Sequence, residues 1–326
     1  MKTKILKIGI IGVGHLGQHH VKHLKSIKNA KLIGIFDTNS TQASKIASKF
    51  RTTKFDSIYK LINKTDALSI VTPTNTHFSI AKDCLEMGKH VFIEKPITSI
   101  IKEANDLIRL ANKRKLIIQI GHIERVNPAL LALKPYKIKP RFIEIQRLAP
   151  YSIRGTEVPV VLDKMIHDID ILLSIINSPI KKIQANGISI ITDSIDVAHA
   201  RIKFNNSSVA NITSSRIAKE DIRKIKLFQR DLYCTIDLLK CITEVYEING
   251  ESKSKIQAPF NYKGEKKVIT YSKPKIKKTD PLKVELINFI NSINGKESPI
   301  VTGEGGRDAL ELAIKITKLI KRGSNC

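Results

Sequence analysis

The chain has 326 residues, 42% of them hydrophobic and 26% charged. That length implies about two domains and a core large enough to hold without disulfide or metal, and the composition excludes a largely disordered chain. No apolar run approaches the roughly 20 residues that span a bilayer. The apolar stretch after Met1 runs straight into glycines with no small-residue cleavage site, so it reads as a buried strand of a cytoplasmic protein rather than a signal peptide.

The formal net charge is +26. Of the 56 basic residues 13 are arginine and 43 lysine, and they are spread along the whole chain. Aromatic residues make up 5%, with no tryptophan. A nucleic-acid binder calls for clustered cations beside stacking aromatics. The abundance of Lys, Ile and Asn instead follows AT-rich coding, so no specific nucleic acid is expected as a partner. Weak polyanion binding at low salt is the expected side effect. The densest run, Lys273–Lys278, reads as a solvated loop.

In chain order the pattern first alternates strands and helices. Strands are predicted over 5–11, 31–36, 67–71, 90–93 and 116–120, and helices over 16–27, 42–50, 77–87 and 100–113. The strands are apolar throughout rather than alternating, as a parallel sheet covered on both faces requires. Beyond Gly121 the pattern changes. An alternating strand over 141–148 precedes a long helix over 160–176. Strands over 183–191, 197–204, 208–214, 224–229, 232–237 and 243–248 follow, with Asn205-Asn206 as a hairpin turn, and amphipathic helices over 281–293 and 306–321 close the chain. The expected fold class is α/β, a doubly wound parallel Rossmann sheet followed by an α/β domain with a mainly antiparallel open sheet. The boundary is placed at 121/122: residues 1–121 as the dinucleotide domain, 122–326 as the substrate and oligomerisation domain.

Gly12-Val13-Gly14-His15-Leu16-Gly17 is a GxGxxG loop between a predicted strand and a predicted helix, the context that gives this motif meaning. The first glycine allows the tight turn, the second admits a pyrophosphate, and the third lets helix and strand pack closely. The helix N-terminus adds unpaired N–H groups. Asp37 follows 20 residues after Gly17, where a carboxylate accepts hydrogen bonds from the adenosine ribose and repels a 2′-phosphate. Thr38 and Asn39 supply no arginine to hold such a phosphate, so the expected cofactor is NAD rather than NADP.

His15, His19 and His23 share one predicted helical face with His20 beside them, but no carboxylate or cysteine partner is evident. They read as polar helix surface, and no metal is expected. Cys84, Cys234, Cys241 and Cys326 form no CxxC, and free thiols are expected.

Thr72-Pro73-Thr74-Asn75-Thr76-His77 follows the third strand and Glu94-Lys95-Pro96 the fourth; Asp163-Lys164-Met165-Ile166-His167-Asp168 comes later. With the glycine loop, these stretches resemble the Gfo/Idh/MocA family of nicotinamide-dependent oxidoreductases over essentially the whole chain. The resemblance implies an NAD-dependent dehydrogenase acting on CH–OH groups. It implies cofactor contacts from Thr72, Pro73, His77, Glu94 and Lys95 beside Gly12, Gly14, His15, Leu16, Gly17 and Asp37. Lys95 lies at the carboxyl end of a parallel strand, where open α/β sheets place ligands, and an ammonium there can stabilise charge on a reacting oxygen. Asp163 and His167 are four apart on a predicted helix, hence on one face. An imidazole, with its ordinary pKa near 6.5, suits the general base, with Asp163 to orient it or bind substrate. Asp168 and Asp170 read as structural supports.

Gly121-His122-Ile123-Glu124-Arg125-Val126-Asn127-Pro128, Arg147-Leu148-Ala149-Pro150 and Arg154-Gly155 are similar to the branch that includes UDP-N-acetylglucosamine 3-dehydrogenases. These oxidise the sugar 3-hydroxyl to a ketone, usually for an aminotransferase that follows. The expected substrate is therefore a sugar or UDP-sugar, with His122, Arg125, Asn127, Arg147 and Arg154 as candidate contacts. Arginine forks would suit its pyrophosphate. The alternatives are a free polyol such as an inositol or another small carbonyl or alcohol within the same family, a non-catalytic NAD sensor, and a polyanion binder. The family also implies a homodimer or homotetramer through the open face of the C-terminal sheet.

Overall fold

A computed structural model describes residues 5–152, 155–248 and 256–323. Arg154 and Cys326 lie outside the described residues. In chain order the elements are β1 (Leu6–Ile11), α1 (Gly17–Leu24), β2 (Ala30–Phe36), α2 (Ser40–Phe50), α3 (Ile58–Asn63), β3 (Ala67–Ile70), α4 (His77–Glu86), β4 (His90–Glu94), α5 (Ile101–Arg114) and β5 (Ile118–Gly121). Then come α6 (Pro128–Leu131), β6 (Phe142–Leu148), a π-helical turn (Val161–Met165) leading into α7 (Ile166–Ile175), and β7 (Ile180–Ile188). The strands β8 (Val197–Phe204), β9 (Val209–Ser215), β10 (Ile222–Gln229), β11 (Leu232–Asp237), β12 (Ile242–Ile248), β13 (Ile256–Tyr262) and β14 (Glu265–Ser272) follow, before α8 (Pro281–Ile293) and α9 (Gly303–Gly323).

The chain forms two compact units. The first runs to Ile123 and resumes over Thr279–Glu311; the second takes Glu124–Lys278 and the chain from Leu312. The break at 121/122 expected from the sequence thus differs from the observed division, because α8 returns to the first unit. Leu286, Phe289 and Ile290 are buried in one cluster with Ile8, Ile10, Val21, Leu24 and Phe92, and the Phe289 and Phe92 rings meet edge to face at 5.9 Å. An amphipathic pattern announces that a helix buries one face, but not which core receives it.

The first unit holds a five-stranded sheet of order β2-β1-β3-β4-β5, every pairing parallel. All four residues of β3 and of β5 are buried, as strands covered on both faces must be. The order reverses at β1, so the carboxyl ends of β1 and β3 bound the crevice where such sheets take ligands.

The second unit holds a nine-stranded sheet of order β13-β14-β12-β11-β10-β6-β9-β8-β7. Its pairings are antiparallel except β6 with β9. Burial alternates along β8, β10 and β11, so one face is the core and carries Ile145, Leu227, Ile236 and Val245. The other face carries a ladder of rings, Phe142, Phe228, Tyr233, Tyr246 and Tyr271, with successive centroids 4.7–5.7 Å apart.

Four local departures from the sequence reading have identifiable causes. The short α3 has too few turns to show a period. The hairpin β13–β14 turns on Lys263 and Gly264, both at positive φ, and Pro259 weakens the strand signal. β13 is an edge strand, the position where a proline is tolerated. At the β8–β9 turn the left-handed residue is Ser207 (φ 67°), while Asn206 Oδ1 accepts from the Ser208 N–H. The helix expected over 160–176 is continuous only through its π-helical first turn, a distortion often found at functional sites.

Candidate active site

The glycine loop is built as its spacing requires. Gly12 has φ +88°, and a Cβ there would lie 2.5 Å from the Val71 carbonyl oxygen. A Cβ on Gly17 would lie 2.1 Å from the Gly12 carbonyl oxygen, so the helix start packs against the turn with no room for a side chain. A Cβ on Gly14 would meet nothing within 4 Å, so that side of the loop faces open space. Among the described residues, the backbone N–H groups of Gly14 to Gly17 have no protein acceptor. They form an anion cradle at the start of α1. His15 and Leu16 are exposed here.

Asp37, at the end of β2, fixes this loop. Its Oδ2 accepts from the Val13 N–H at 2.7 Å and its Oδ1 from the Asn39 N–H at 2.8 Å. The Gln42 side chain on α2 donates to the Val13 carbonyl at 3.0 Å. Each carboxylate oxygen has further lone pairs, so Asp37 can bind ribose hydroxyls while holding the loop. A cavity of about 290 Å³ opens beside it, lined by Gly12, Gly14, Asp37, Thr38, Val71 and Ile80 among others. Its walls are apolar enough for a flat base, and no arginine or lysine among the described residues lines it. The donor set fits NAD, and it offers nothing to neutralise a 2′-phosphate.

The same sheet edge carries Lys95, half-buried just beyond β4, with a cis Lys95–Pro96 peptide bond. Glu94 is part-buried; its Oε1 lies 3.0 Å from His20 Nε2, and its Oε2 accepts from the Lys95 N–H at 3.3 Å. Burial pushes the Glu94 carboxyl up, but the hydrogen bond and charge of His20 and the Lys95 N–H outweigh it, holding Glu94 below the usual carboxylate range. Thr72 and Pro73 reach the cavity, whereas His77 does not line it. His77 is buried, its Nδ1 2.9 Å from the Pro96 carbonyl oxygen and its Nε2 2.9 Å from the Thr72 carbonyl oxygen. The cofactor contact expected of His77 is thus corrected to a clamp between two loops.

The helix histidines also differ from the sequence reading. Only His15 and His19 are polar surface, with their rings edge to face at 5.7 Å. His20 is 1% exposed; His23 is buried with Nε2 3.2 Å from Asp280 on the approach to α8. The signal for His20 and His23 lay in the helical period, since Val21 and Leu24 mark the buried face.

In the second unit Asp163 lies in the π-helical turn and His167 in the first turn of α7, both half-buried. Lys164 Nζ is 3.7 Å from the Asp163 carboxylate, and a Cβ on Gly155 would stand 3.2 Å from it. Arg216 carries the loop beside them, donating to the carbonyl oxygens of Gly155 and Val158.

The arginines proposed for a phosphate are engaged elsewhere. Arg147 forks onto Asp168 through Nε and Nη2, each at 2.9 Å, and its Nη1 reaches Glu124 Oε1 at 2.9 Å. Arg125 Nε donates to Asp170 Oδ2 at 2.9 Å and Nη2 to Oδ1. Asn127 donates to Glu124 Oε2 and the Leu238 carbonyl and caps α6 at the Ala129 N–H. His122 is 1% exposed at the end of β5, closed from solvent. Buried Asn127 and Arg147 are thus corrected from substrate contacts to internal supports, because buried guanidinium groups and carboxylates must neutralise one another, while half-buried Arg125 closes on the buried Asp170 carboxylate. Their effect is to fix α7, the helix that carries His167, through Asp168 and Asp170 on either side of Ile169. Burial pushes Glu124 up, but Arg147, Asn127 and Arg223 outweigh it and hold it below the usual range.

The described residues contain no group of three His, Cys, Asp or Glu placed to hold a metal ion, and no helix among them is long and apolar enough to cross a membrane. Burial pushes the Cys84 and Cys234 thiols up, Cys234 to about 12, which leaves both unreactive.

A parallel sheet with a glycine cradle at its switch point and a carboxylate at the end of the next strand defines a dinucleotide-binding protein of Rossmann type. The family described as Gfo/Idh/MocA, "oxidoreductase family, NAD-binding Rossmann fold", matches residues 6–122. The UDP-N-acetylglucosamine 3-dehydrogenase of Acidithiobacillus ferrooxidans is 34% identical over 95% of this chain and 96% of that enzyme. A solved structure of that dehydrogenase, GnnA, superposes with a TM-score of 0.88 at 33% identity, covering 97% of this chain and 98% of that one. The myo-inositol 2-dehydrogenase of Thermotoga maritima is 25% identical over 97% of this chain and 96% of its own length. The chain belongs to the Gfo/Idh/MocA oxidoreductases, and its cofactor is NAD.

Proposed function

We propose that the protein oxidises the 3-hydroxyl of UDP-N-acetylglucosamine to a ketone with NAD⁺. The observation that carries this reading is identity sustained over the full length, 34% to the UDP-N-acetylglucosamine 3-dehydrogenase against 25% to the inositol dehydrogenase. The family match ends at residue 122, whereas the likeness to the UDP-N-acetylglucosamine 3-dehydrogenase continues through the second unit, to which we assign the choice of substrate. The inositol dehydrogenase is matched over the same length at lower identity, and no observation favours its substrate over a sugar nucleotide.

The bound cofactor supplies the hydride acceptor. Lys95 hydrogen-bonds the reacting oxygen and stabilises the charge that develops on it. His167 takes the hydroxyl proton, and Asp163 orients His167 or the sugar. The forks of Arg125 and Arg147 hold α7, so that His167 keeps one position at little entropic cost. The Gly14 to Gly17 N–H groups receive the cofactor pyrophosphate and Asp37 the adenosine ribose. With Arg125 and Arg147 engaged internally, the UDP pyrophosphate is left to Arg154 and the many surface lysines.

The ring ladder on the second sheet supports a homodimer or homotetramer through that face, and the protein is assigned to the cytoplasm with its proposed substrate. The test is NADH formation with UDP-N-acetylglucosamine, UDP-glucose and myo-inositol in parallel, with a glutamate-dependent aminotransferase added to draw off the ketone. The expected result is turnover of the acetylated UDP-sugar alone. Turnover of myo-inositol with none of the UDP-sugars overturns the reading.

A further inference from the structure

His20 is a buried imidazole on the helix of the cofactor cradle, and its ring reaches the carboxylate beside the lysine loop. It lies three residues after Gly17, in the first turn of the helix whose N-terminus forms the anion cradle. Its Nδ1 is 2.8 Å from Ser69 Oγ on β3, and its Nε2 is 3.0 Å from Glu94 Oε1 at the end of β4. An ionised carboxylate only accepts, so Nε2 carries the proton that Glu94 receives. In the neutral ring the Ser69 hydroxyl then donates to Nδ1. The order serine, imidazole, carboxylate is that of acyl-transfer enzymes. Here Ser69 is 1% exposed within a strand paired on both sides, so no substrate reaches it and the chain can only orient.

What it orients is Glu94. One oxygen is held by His20, the other accepts from the Lys95 N–H, and a Cβ on Gly121 would stand 2.9 Å from the carboxylate, so only glycine admits it from the β5 side. The Phe92 ring closes on His20 edge to face at 5.6 Å. The contacts form one unbroken path from the first turn of α1 through His20 and Glu94 to the backbone of Lys95.

We propose that His20 is a positioning residue that sets Lys95 through Glu94 and makes that setting respond to the phosphate load on α1. The proposal rests on the reading of Lys95 as the group at the reacting oxygen. An aliphatic residue in this space would leave Glu94 Oε1 without the donor that His20 supplies.

The test separates the two ring nitrogens. His20→Gln places a donor near Nε2 and keeps the Glu94 contact; His20→Asn reaches only as far as Nδ1 and Ser69. His20→Asn should lower kcat between about 10- and 100-fold with the KM for NAD⁺ little changed, the scale of a displaced reacting group, and His20→Gln should restore most of it. A second readout needs no turnover. ADP fills the cradle without the nicotinamide, so in the native protein it should change the rate at which an amine-directed reagent labels Lys95. His20→Gln should keep that response, and His20→Asn should lose it while still binding ADP. Equal loss of kcat in both variants, or Lys95 labelling indifferent to ADP in the native protein, overturns the proposal. If His20→Asn fails to fold, Ser69→Ala, which loosens the same ring, should weaken the ADP response in the same direction; an unchanged response overturns it. Failure of the functional reading shows separately, as full turnover by Lys95→Ala, and leaves the labelling result standing.

Discussion

The two units use their polar residues in opposite ways. In the first, the glycine loop and Asp37 stand at strand ends and keep capacity for a ligand. Among the described residues nothing accepts from the N–H groups of Gly14 to Gly17, and Asp37 retains lone pairs beyond those given to Val13 and Asn39. In the second, Arg125 and Arg147 turn inward and close on Asp170, Asp168 and Glu124. A lysine-rich chain that places arginine at a few positions signals a need for fork geometry. It does not say whether the fork meets a phosphate or a carboxylate. Leu16, at the N-cap of α1, has no side-chain oxygen to cap the helix start, and for that reason the glycine motif predicts a ligand where the arginine motif does not.

The contrast can be broken in several places. Arg147→Met should cost about 3–5 kcal/mol of unfolding free energy, because it strands Asp168 and Glu124 in a buried site; urea unfolding measures it. Retained stability with a raised KM for the UDP-sugar would return Arg147 to the substrate and erase the difference between the units. Lys95→Ala should lower turnover by roughly 10²-fold or more while NAD binding survives, the loss expected for one positioned electrostatic group. Steady-state rates beside NADH fluorescence titration decide it. Asp37→Asn keeps an acceptor for Val13 but removes the charge. It should narrow the ratio of kcat/KM for NAD over NADP by roughly tenfold, the weight of about one charged hydrogen bond.

The smallest effect concerns His23. Burial lowers its pKa below 6.5, with Asp280 opposing. A depressed imidazole binds its proton more readily in the unfolded chain, so its contribution to stability is complete above pH 6.5 and falls away as the pH drops through the folded value. His23→Gln should flatten the fall in stability that the native protein shows as the pH drops below 6.5, read by urea unfolding across that range. A His23 resonance titrating above 6.5 would contradict the burial.

Much of the first unit was legible because its signals are local. The apolar runs gave β1, β3, β4 and β5 within a residue or two, and the glycine spacing located the cradle to the residue. His20 was not legible as a buried link, since its partners are 49 and 74 residues away. The buried status of His23 and the return of α8 to the first core depend equally on distant packing. The hairpin β13–β14 was hidden by Pro259, whose tolerance depends on the strand lying at a sheet edge.

By itself, then, the amino-acid order determined the alternation of strand and helix, the phosphate loop, the preference for NAD and the family, because backbone sterics and hydrophobic period act over a few residues. Tertiary structure alone decided which charges met one another. Whether Arg147 would face a ligand or Asp168, and whether His20 would face water or Glu94, depended on which groups the fold brought together away from solvent, where an unpartnered charge is too costly to persist.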